Sequence, residues 1–142
     1  MKHPRPVCFF QVEWGGERIG FTSVEGLDQT IDVIEYREGN MKSDQVMLIP
    51  GMRRSSTLVL RRGIVPGDNG FEDWLRTVFR GDAERRDMTI SLLNEVHEPV
   101  TVWKIRSAWP CGLTGPRLDA LQSEIALESL TLVHEGISVE FT

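Results

Sequence analysis

The chain has 142 residues, of which 40% are hydrophobic and 26% charged, and its formal net charge is −5. This length fits one domain with one core, and the acidic balance argues against a nucleic-acid-binding protein, which needs a clustered basic patch. No apolar run approaches the roughly 20 residues of a membrane-spanning helix, and the basic N-terminus lacks the apolar stretch of a signal peptide.

The N-terminal part of the chain alternates between apolar and polar residues, which predicts half-buried strands. The apolar face of the first strand, Val7–Trp14, comprises Cys8, Phe10, Val12 and Trp14. Gly15-Gly16 predicts a two-residue turn, because both glycines accept positive φ, and Arg18–Val24 is expected to return antiparallel. Cys8 and Cys111 lack metal-like spacing, and we interpret Cys8 as a buried, reduced thiol.

The third predicted strand, Thr30–Tyr36, has apolar residues on both faces. Ile31 and Val33 lie on one side, and Ile34 and Tyr36 lie with Asp32 on the other. This pattern predicts that one face meets the core and the other a neighbouring molecule.

The following segment, Glu38–Gly51, has weak periodicity and ends in Pro50-Gly51, so it is predicted to be a long loop. Loops of this length inside compact domains are commonly functional.

One helix is predicted after a fourth strand, Ser56–Arg62. It spans Asn69–Arg80, with Asn69 as N-cap, Glu72 completing a capping box and Gly81 ending the helix. Its apolar stripe recurs at helical spacing and is expected to face the core. The residues of that stripe are Phe71, Trp74, Leu75, Val78 and Phe79.

The C-terminal half again reads as strands. Asp87–Asn94 puts Thr89 and Ser91 opposite its apolar face. Val100–Trp109 is expected to end at Pro110, which has no N–H to donate. Ser123–His134 is predicted to be the longest strand, and a short last strand contains Ile137, Val139 and Phe141. One helix among many antiparallel strands predicts a mainly β barrel or sandwich in a single domain, residues 1–142.

No motif for catalysis, cofactor binding or metal binding is found in the sequence. His3, His97 and His134 are far apart, no serine lies in a nucleophile elbow, and the glycines between Gly63 and Gly70 lack the ending of a phosphate-binding loop. The pairs Arg53-Arg54, Arg61-Arg62 and Arg85-Arg86 are interpreted as solvated or inter-subunit residues.

Short segments along nearly the whole chain are similar in order and spacing to those of one protein family. They are Phe9-Phe10-Gln11-Val12, Gly20-Phe21, Val24–Gly39, Ile49-Pro50-Gly51, Leu58–Gly63, Phe71-Glu72-Asp73-Trp74, Asp87–Leu92, Trp103, Ala108-Trp109-Pro110 and Leu130–Gly136. In these segments the chain resembles the inner-tube proteins of contractile tails. That family includes phage tail tubes, the tubes of extracellular contractile injection systems and, more distantly, the haemolysin-coregulated protein of type VI secretion.

The resemblance implies a non-enzymatic structural subunit without cofactors that forms stacked hexameric rings. It also implies assembly in the bacterial cytoplasm and partners in a sheath, a baseplate and a tube initiator, with possible cargo in the lumen. Thr89, Ser91 and Asp32 are candidates for the lumen face. Inter-ring contact is expected from Gly26, Leu27, Asn40, Lys42, Asp44 and Gln45. The Ser123–His134 strand carries no proline or lysine, so its edge is expected to pair between subunits, through Ile125, Leu127, Ser129 and Thr131.

Three alternatives remain open at this point. The chain could be a tube initiator or another tube paralogue near the baseplate. It could also be a monomeric β-barrel binding module that uses Trp14, Trp103 or Trp109 as a platform, or an enzyme whose site is assembled only by the fold.

Overall fold

A computed structural model describes residues 9–14, 20–40, 46–122 and 124–141. These residues form nine strands and one helix. In chain order they are β1 (Phe10–Glu13), β2 (Ser23–Glu25), β3 (Gln29–Tyr36), β4 (Met47–Ser55), β5 (Leu58–Gly63), α1 (Gly70–Phe79), β6 (Arg86–Leu93), β7 (Pro99–Thr114), β8 (Leu127–Val133) and β9 (Gly136–Phe141). The predicted turn at Gly15-Gly16 and the thiol of Cys8 lie outside the described residues. The expected antiparallel return along the first strand is wrong, because β2 pairs with β5 and β1 pairs with β6.

The long strand β7 belongs to two antiparallel sheets. Its first half pairs with β6 on one side and β9 on the other, and β1 extends this first sheet beyond β6. Its second half pairs with β8, which continues through β5 to β2 in the second sheet. Ser107, with φ 53°, lies between the two halves, and its N–H donates to Asp87 Oδ1 at 3.0 Å.

The core lies between the two sheets and is closed by α1. Trp14 is 4% exposed, and its ring meets Phe71 and Trp74 edge-on, at centroid distances of 5.4 and 5.5 Å. Aliphatic side chains from alternate strand positions fill the remaining space. They are Val12, Leu58, Leu60, Met88, Ile90, Ile105, Ala108, Leu130 and Leu132.

The predicted helix is confirmed, but not its capping or the whole of its buried stripe. Phe71, Trp74 and Leu75 are buried and Val78 is half-buried, whereas Phe79 is 76% exposed because the helix ends there, at the edge of the core. The predicted capping box is wrong. Asn69 makes no side-chain capping hydrogen bond, and Asp68 Oδ1 instead accepts from the Gly70 N–H at 3.0 Å. Gly81 ends the helix with φ 90°.

Three strand boundaries differ from the sequence prediction. Residues 47–51 of the predicted loop Glu38–Gly51 belong to β4, where Pro50 is tolerated because β4 is paired on one side among the described strands. Pro110 does not end β7, since a bulge between Pro110 and Gly112 carries the pairing to Thr114. The strand predicted over Ser123–His134 is therefore not the longest. It is β8, with 7 residues, whereas β7 has 16.

A buried arginine connects the second sheet to the helix. Arg62 on β5 is 2% exposed, and its guanidinium donates to Glu128 at 2.8 Å and to Asp68 at 3.1 Å. It also stacks over the Phe71 ring, with 3.9 Å from Cζ to the ring centroid. The charge is thus paired on both sides, which an arginine this deeply buried requires.

We expect Trp74→Ala to lower the free energy of unfolding by about 3–5 kcal/mol, because the indole is fully buried and its truncation leaves a cavity. It also removes the hydrogen bond from Nε1 to the Glu84 carbonyl, 2.7 Å long. The matched control is Phe79→Ala on the exposed side of the helix, which should change stability by about 0.5 kcal/mol or less. Chemical denaturation measures the stability of both variants, and equal midpoints for the two would contradict the placement of Trp74 in the core.

The Asp68 carboxylate should make stability pH-dependent in acid. The Gly70 N–H and the Arg62 charge hold the pKa of Asp68 below its ordinary value. Because the folded-state pKa is the lower one, this stabilisation is present at neutral pH and is lost as the pH falls below about 4.

We therefore expect Asp68→Asn to destabilise the protein at pH 7 by an amount that shrinks as the pH is lowered towards 3. Denaturation midpoints between these pH values measure the effect, with Asp82→Asn as the exposed control. A difference that stays constant with pH would contradict the assignment.

Candidate functional site

The β3–β4 hairpin is the most exposed apolar element of the described chain. Ile31, Val33 and Leu48 lie on one face, at 57%, 65% and 69% exposure. The other face carries a second group of large apolar side chains that are each at least 38% exposed. These are Ile34, Tyr36, Met47, Ile49 and Met52. The expectation that one face of β3 meets the core is therefore wrong, because both faces are open in the single chain.

The hairpin continues the β2–β5 pair of the second sheet after a bend. β3 follows β2 after residues 26–28, and β5 follows β4 after residues 56–57. At the bend, Gly26 has φ 100°, and a Cβ there would lie 2.1 Å from the Thr57 carbonyl oxygen. Only glycine fits this close backbone approach, so Gly26 sets the angle at which the hairpin leaves the body.

Leu27 beside this glycine packs against the core. Both residues of the predicted inter-ring turn thus have a role within the chain. Asn40 follows the hairpin strand β3 and is exposed. Lys42, Asp44 and Gln45, the other predicted inter-ring residues, lie outside the described residues.

The predicted pairing edge on β8 is occupied inside the chain. Leu127 pairs with Gly63, and Ser129 and Thr131 each pair with β5 on one side and β7 on the other. The backbone groups of Ser129 and Thr131 are therefore not free to pair with another subunit, and the expectation of a free edge is wrong for these two residues. Leu127 is paired on the β5 side only. Ile125 precedes the strand and is 81% exposed, which leaves its side chain open to contact.

Other strands do have an unpaired edge among the described residues. β9 pairs only with β7, and β3 and β4 pair only with each other. Apolar strands with unpaired edges are the usual sites of strand addition between chains. The surface suited to self-association is therefore the hairpin together with the β9 edge of the first sheet.

One face of the first sheet is polar. Thr89 on β6 lies opposite Lys104 on β7, which lies opposite Ser138 on β9. Lys104 also pairs with Glu140 at 3.0 Å. Thr89 is half-buried, whereas Ser91 is only 7% exposed in the single chain. Asp32 lies apart from this face, on the hairpin, where it pairs with Arg54 at 2.6 Å.

A groove of about 610 Å³ runs between the base of the hairpin and one end of this polar face. Its charged lining residues are four cations, Arg53, Arg54, Lys104 and Arg106, and two carboxylates, Asp87 and Glu135. Two of the cations are already paired, Arg54 with Asp32 and Lys104 with Glu140.

A cluster of side chains that could form a metal centre is not found within the described ranges. No three His, Cys, Asp or Glu side chains converge there in a way that could hold a metal ion. His97 lies in the turn before β7, and His134 follows β8. Trp14 is buried, Trp103 packs against the core and Trp109 is half-buried, so none of the three is a fully exposed aromatic platform of the kind that a monomeric binding module would need. Among the described residues there is no helix with the length and apolarity needed to cross a membrane.

Comparison with protein-family models gives a match over most of the chain. The family model for the T4-like virus tail tube protein gp19 matches residues 6–138. No curated protein matches the chain.

Solved structures match over the whole chain. A chain from the sheath–tube complex of PVC, an extracellular contractile injection system in its extended state, is 35% identical, with a TM-score of 0.90, and the match covers 99% of this chain and 94% of that one. A chain from the cap that terminates the tube of the anti-feeding prophage AFP is 34% identical, with a TM-score of 0.92 and coverage of 100% and 94%. Hcp1 from Flavobacterium johnsoniae, at 12% identity, is similar in fold alone, with a TM-score of 0.57 and coverage of 94% and 95%.

We expect Gly26→Ala to destabilise the protein more than Gly81→Ala does. Both glycines have positive φ, which costs another residue about 1–2 kcal/mol, but only the Gly26 position would add a clash with backbone, since nothing lies within 4 Å of a Cβ at Gly81. Thermal melting of the two variants measures the difference. Equal melting temperatures would contradict the bend described here.

Proposed function

This chain belongs to the T4-like virus tail tube family, and we propose that it forms the inner tube of a contractile tail or injection system as stacked hexameric rings. Its fold, one helix on antiparallel sheets, is that of tube proteins found with a sheath in PVC. In this proposal a contracting sheath drives the rigid tube through a target envelope. The protein acts mechanically and needs neither a cofactor nor a catalytic site.

The observation that carries the proposal is the hairpin with two exposed apolar faces. An apolar surface of this kind is a liability in a monomer and is expected to be covered in an assembly. Six hairpins, each laid against the next subunit around a ring, would cover these faces. A cyclic ring closes head to tail, so every subunit both gives and receives the same contact.

The partners follow from the same proposal. The sheath would surround the tube, while baseplate and initiator proteins would start it. The particle would be assembled in the bacterial cytoplasm. The polar face of the first sheet that includes Thr89 and Lys104 would suit the wall of a water-filled lumen that holds cargo. Asn40, Lys42, Asp44 and Gln45, which follow β3, would contribute to contact between rings.

A second candidate within the family is a subunit at the end of the tube. The similarity to a chain of the AFP tube-terminating cap, at 34% identity, favours it as much as the PVC match favours the bulk tube. The two differ in whether the purified chain stacks without a partner. Negative-stain electron microscopy with light scattering over a range of concentrations tests this, since stacks support the bulk tube and isolated rings support the end subunit. A monomer at every concentration would overturn both.

We expect Val33→Glu and Ile34→Glu, one on each face of the hairpin, to prevent ring formation and leave folded monomers. Both side chains are at least half exposed in the single chain, so each substitution should change the stability of the monomer by about 0.5 kcal/mol or less. A buried carboxylate in the ring interface would be far more costly. Sedimentation velocity measures the assembly state, with Phe79→Glu as the control at an exposed apolar position on the helix. Normal rings from both hairpin variants would refute this interface.

A further inference from the structure

The core-facing side of the first sheet is covered only in part within the chain. Residues directly opposite each other on neighbouring strands lie on the same face of a sheet, so the pairing registers assign three rows of side chains to this side. The row nearest the β6–β7 turn is Phe10–Leu92–Thr101–Phe141, the middle row is Val12–Ile90–Trp103–Val139, and the third row is Met88–Ile105–Ile137.

Burial decreases along these rows towards β9 and towards the β6–β7 turn. Val12 and Ile90 are each 1% exposed, whereas Trp103 and Val139 in the same row are only half-buried. No member of the row nearest the turn is buried, and Phe141 at its end is 79% exposed. This corner of the sheet therefore continues the core beyond the part that the chain covers by itself. We call it the apolar corner, and its residues are Leu92, Thr101, Trp103, Val139 and Phe141.

The apolar corner contains no charged residue. Lys104 and Glu140 alternate with its members along β7 and β9, so they belong to the polar face of the sheet, where they pair with each other at 3.0 Å. An exposed apolar surface that is continuous with a core is typical of a contact site. The partner must itself be apolar where it touches the corner, because a charge buried there would have no counter-charge.

One face of the β3–β4 hairpin meets this requirement. On this face Ile34 is paired with Ile49, and Tyr36 is paired with Met47. All four side chains are at least 38% exposed in the single chain. We call these four residues the hairpin quartet.

Charge favours the quartet over the opposite face of the hairpin. The opposite face carries Glu35 and Arg53 among its apolar side chains, and packing that face on the corner would bury both charges. The charged residues that β3 and β4 place on the same face as the quartet are Asp32 and Arg54. They lie nearer the base of the hairpin and neutralise each other through a contact of 2.6 Å.

The quartet and the apolar corner also match in spacing and in the kind of packing they allow. Each contains two cross-strand rows that are two residues apart along the strands, which is about 7 Å. The hairpin continues the second sheet, and the core already forms between that sheet and the first one. A hairpin from a second copy would therefore cover the corner by the same face-to-face packing of two sheets.

We propose that the hairpin quartet of one subunit packs on the apolar corner of the next subunit around the ring. The occupant of the corner is thus a second copy of this chain. The contact rests on the proposed tube function, to which it adds the surface that receives the hairpin. The quartet and the corner are different parts of the chain, so the contact is head to tail and closes a ring when every copy both gives and receives one hairpin.

Phe141→Glu tests the receiving surface. The substitution places a carboxylate in the corner, where burial without a counter-charge is costly, so rings should be lost and folded monomers should remain. The matched control is Phe79→Glu, because Phe79 on α1 is 76% exposed and lies outside the corner, and this variant should form normal rings. Sedimentation velocity measures the assembly state, and thermal melting verifies the fold. Normal rings from Phe141→Glu would overturn the proposal.

Cross-linking identifies the occupant of the corner. Tyr36→Cys and Phe141→Cys are combined in a chain whose own cysteines, Cys8 and Cys111, are replaced by serine, and the assembled rings are treated with a short bismaleimide. Each subunit then carries both halves of the contact, so a denaturing gel should show a ladder that ends at six chains. Either new cysteine alone should give nothing larger than a dimer, and Tyr36→Cys combined with Phe79→Cys should give no ladder.

The other cross-linking outcomes each contradict the contact in a different way. Rings without a ladder would show that another surface covers the corner. A link within one chain, seen as a monomer of altered mobility, would show that the hairpin folds back on its own corner. A ladder that continues beyond six chains would place the contact between rings. A wild-type protein that forms no rings would instead refute the proposed function, so the two failures can be told apart.

Discussion

The pairing of β7 on both sides is the constraint on which the rest of the structure depends. This strand is hydrogen-bonded to β6 and β9 along its first half and to β8 along its second, so it fixes the relative position of the two sheets. The core forms where the sheets face each other, and α1 closes it through Phe71 and Trp74. A tube wall that must transmit force needs this kind of continuous backbone pairing, because hydrogen bonds along the strands resist shear collectively.

The buried Arg62 adds specificity to this frame. An arginine costs free energy to bury, and that cost is offset here only because Glu128 and Asp68 approach the same guanidinium from different elements. The arrangement fixes the loop before α1, since Asp68 also accepts from the first N–H of the helix. The helix is thus positioned by both apolar packing and charge, and it cannot shift along the sheet without unpairing a buried cation.

The β3–β4 hairpin exposes more apolar surface than is expected of a monomeric protein. It leaves the body at the Gly26 bend and exposes apolar side chains on both faces, which in a monomer would invite aggregation. The chain belongs to the tail tube family, and in the proposed ring a second copy would cover this surface.

The fold class, the helix and the family were all predicted from the amino-acid sequence alone. Helical spacing from Phe71 to Val78 and the alternation along β6 are local patterns, which is why periodicity alone predicted both elements. The family resemblance, carried by short segments in order along the chain, is confirmed by the gp19 match over residues 6–138.

Only the tertiary structure decided which strand edges are open and which apolar residues are exposed. The sequence of β8 contains no proline or lysine that would hinder pairing with another chain. Even so, β8 lies between β5 and β7, because strand pairing joins residues that are far apart in sequence. Pro50 was expected to lie in a loop and Pro110 to end a strand. Both lie within strands, Pro50 on the singly paired β4 and Pro110 beside a bulge. Phe79 continues the helical stripe, yet it projects past the end of the core. These outcomes depend on contacts between residues that are far apart in the chain, which local sequence spacing does not report.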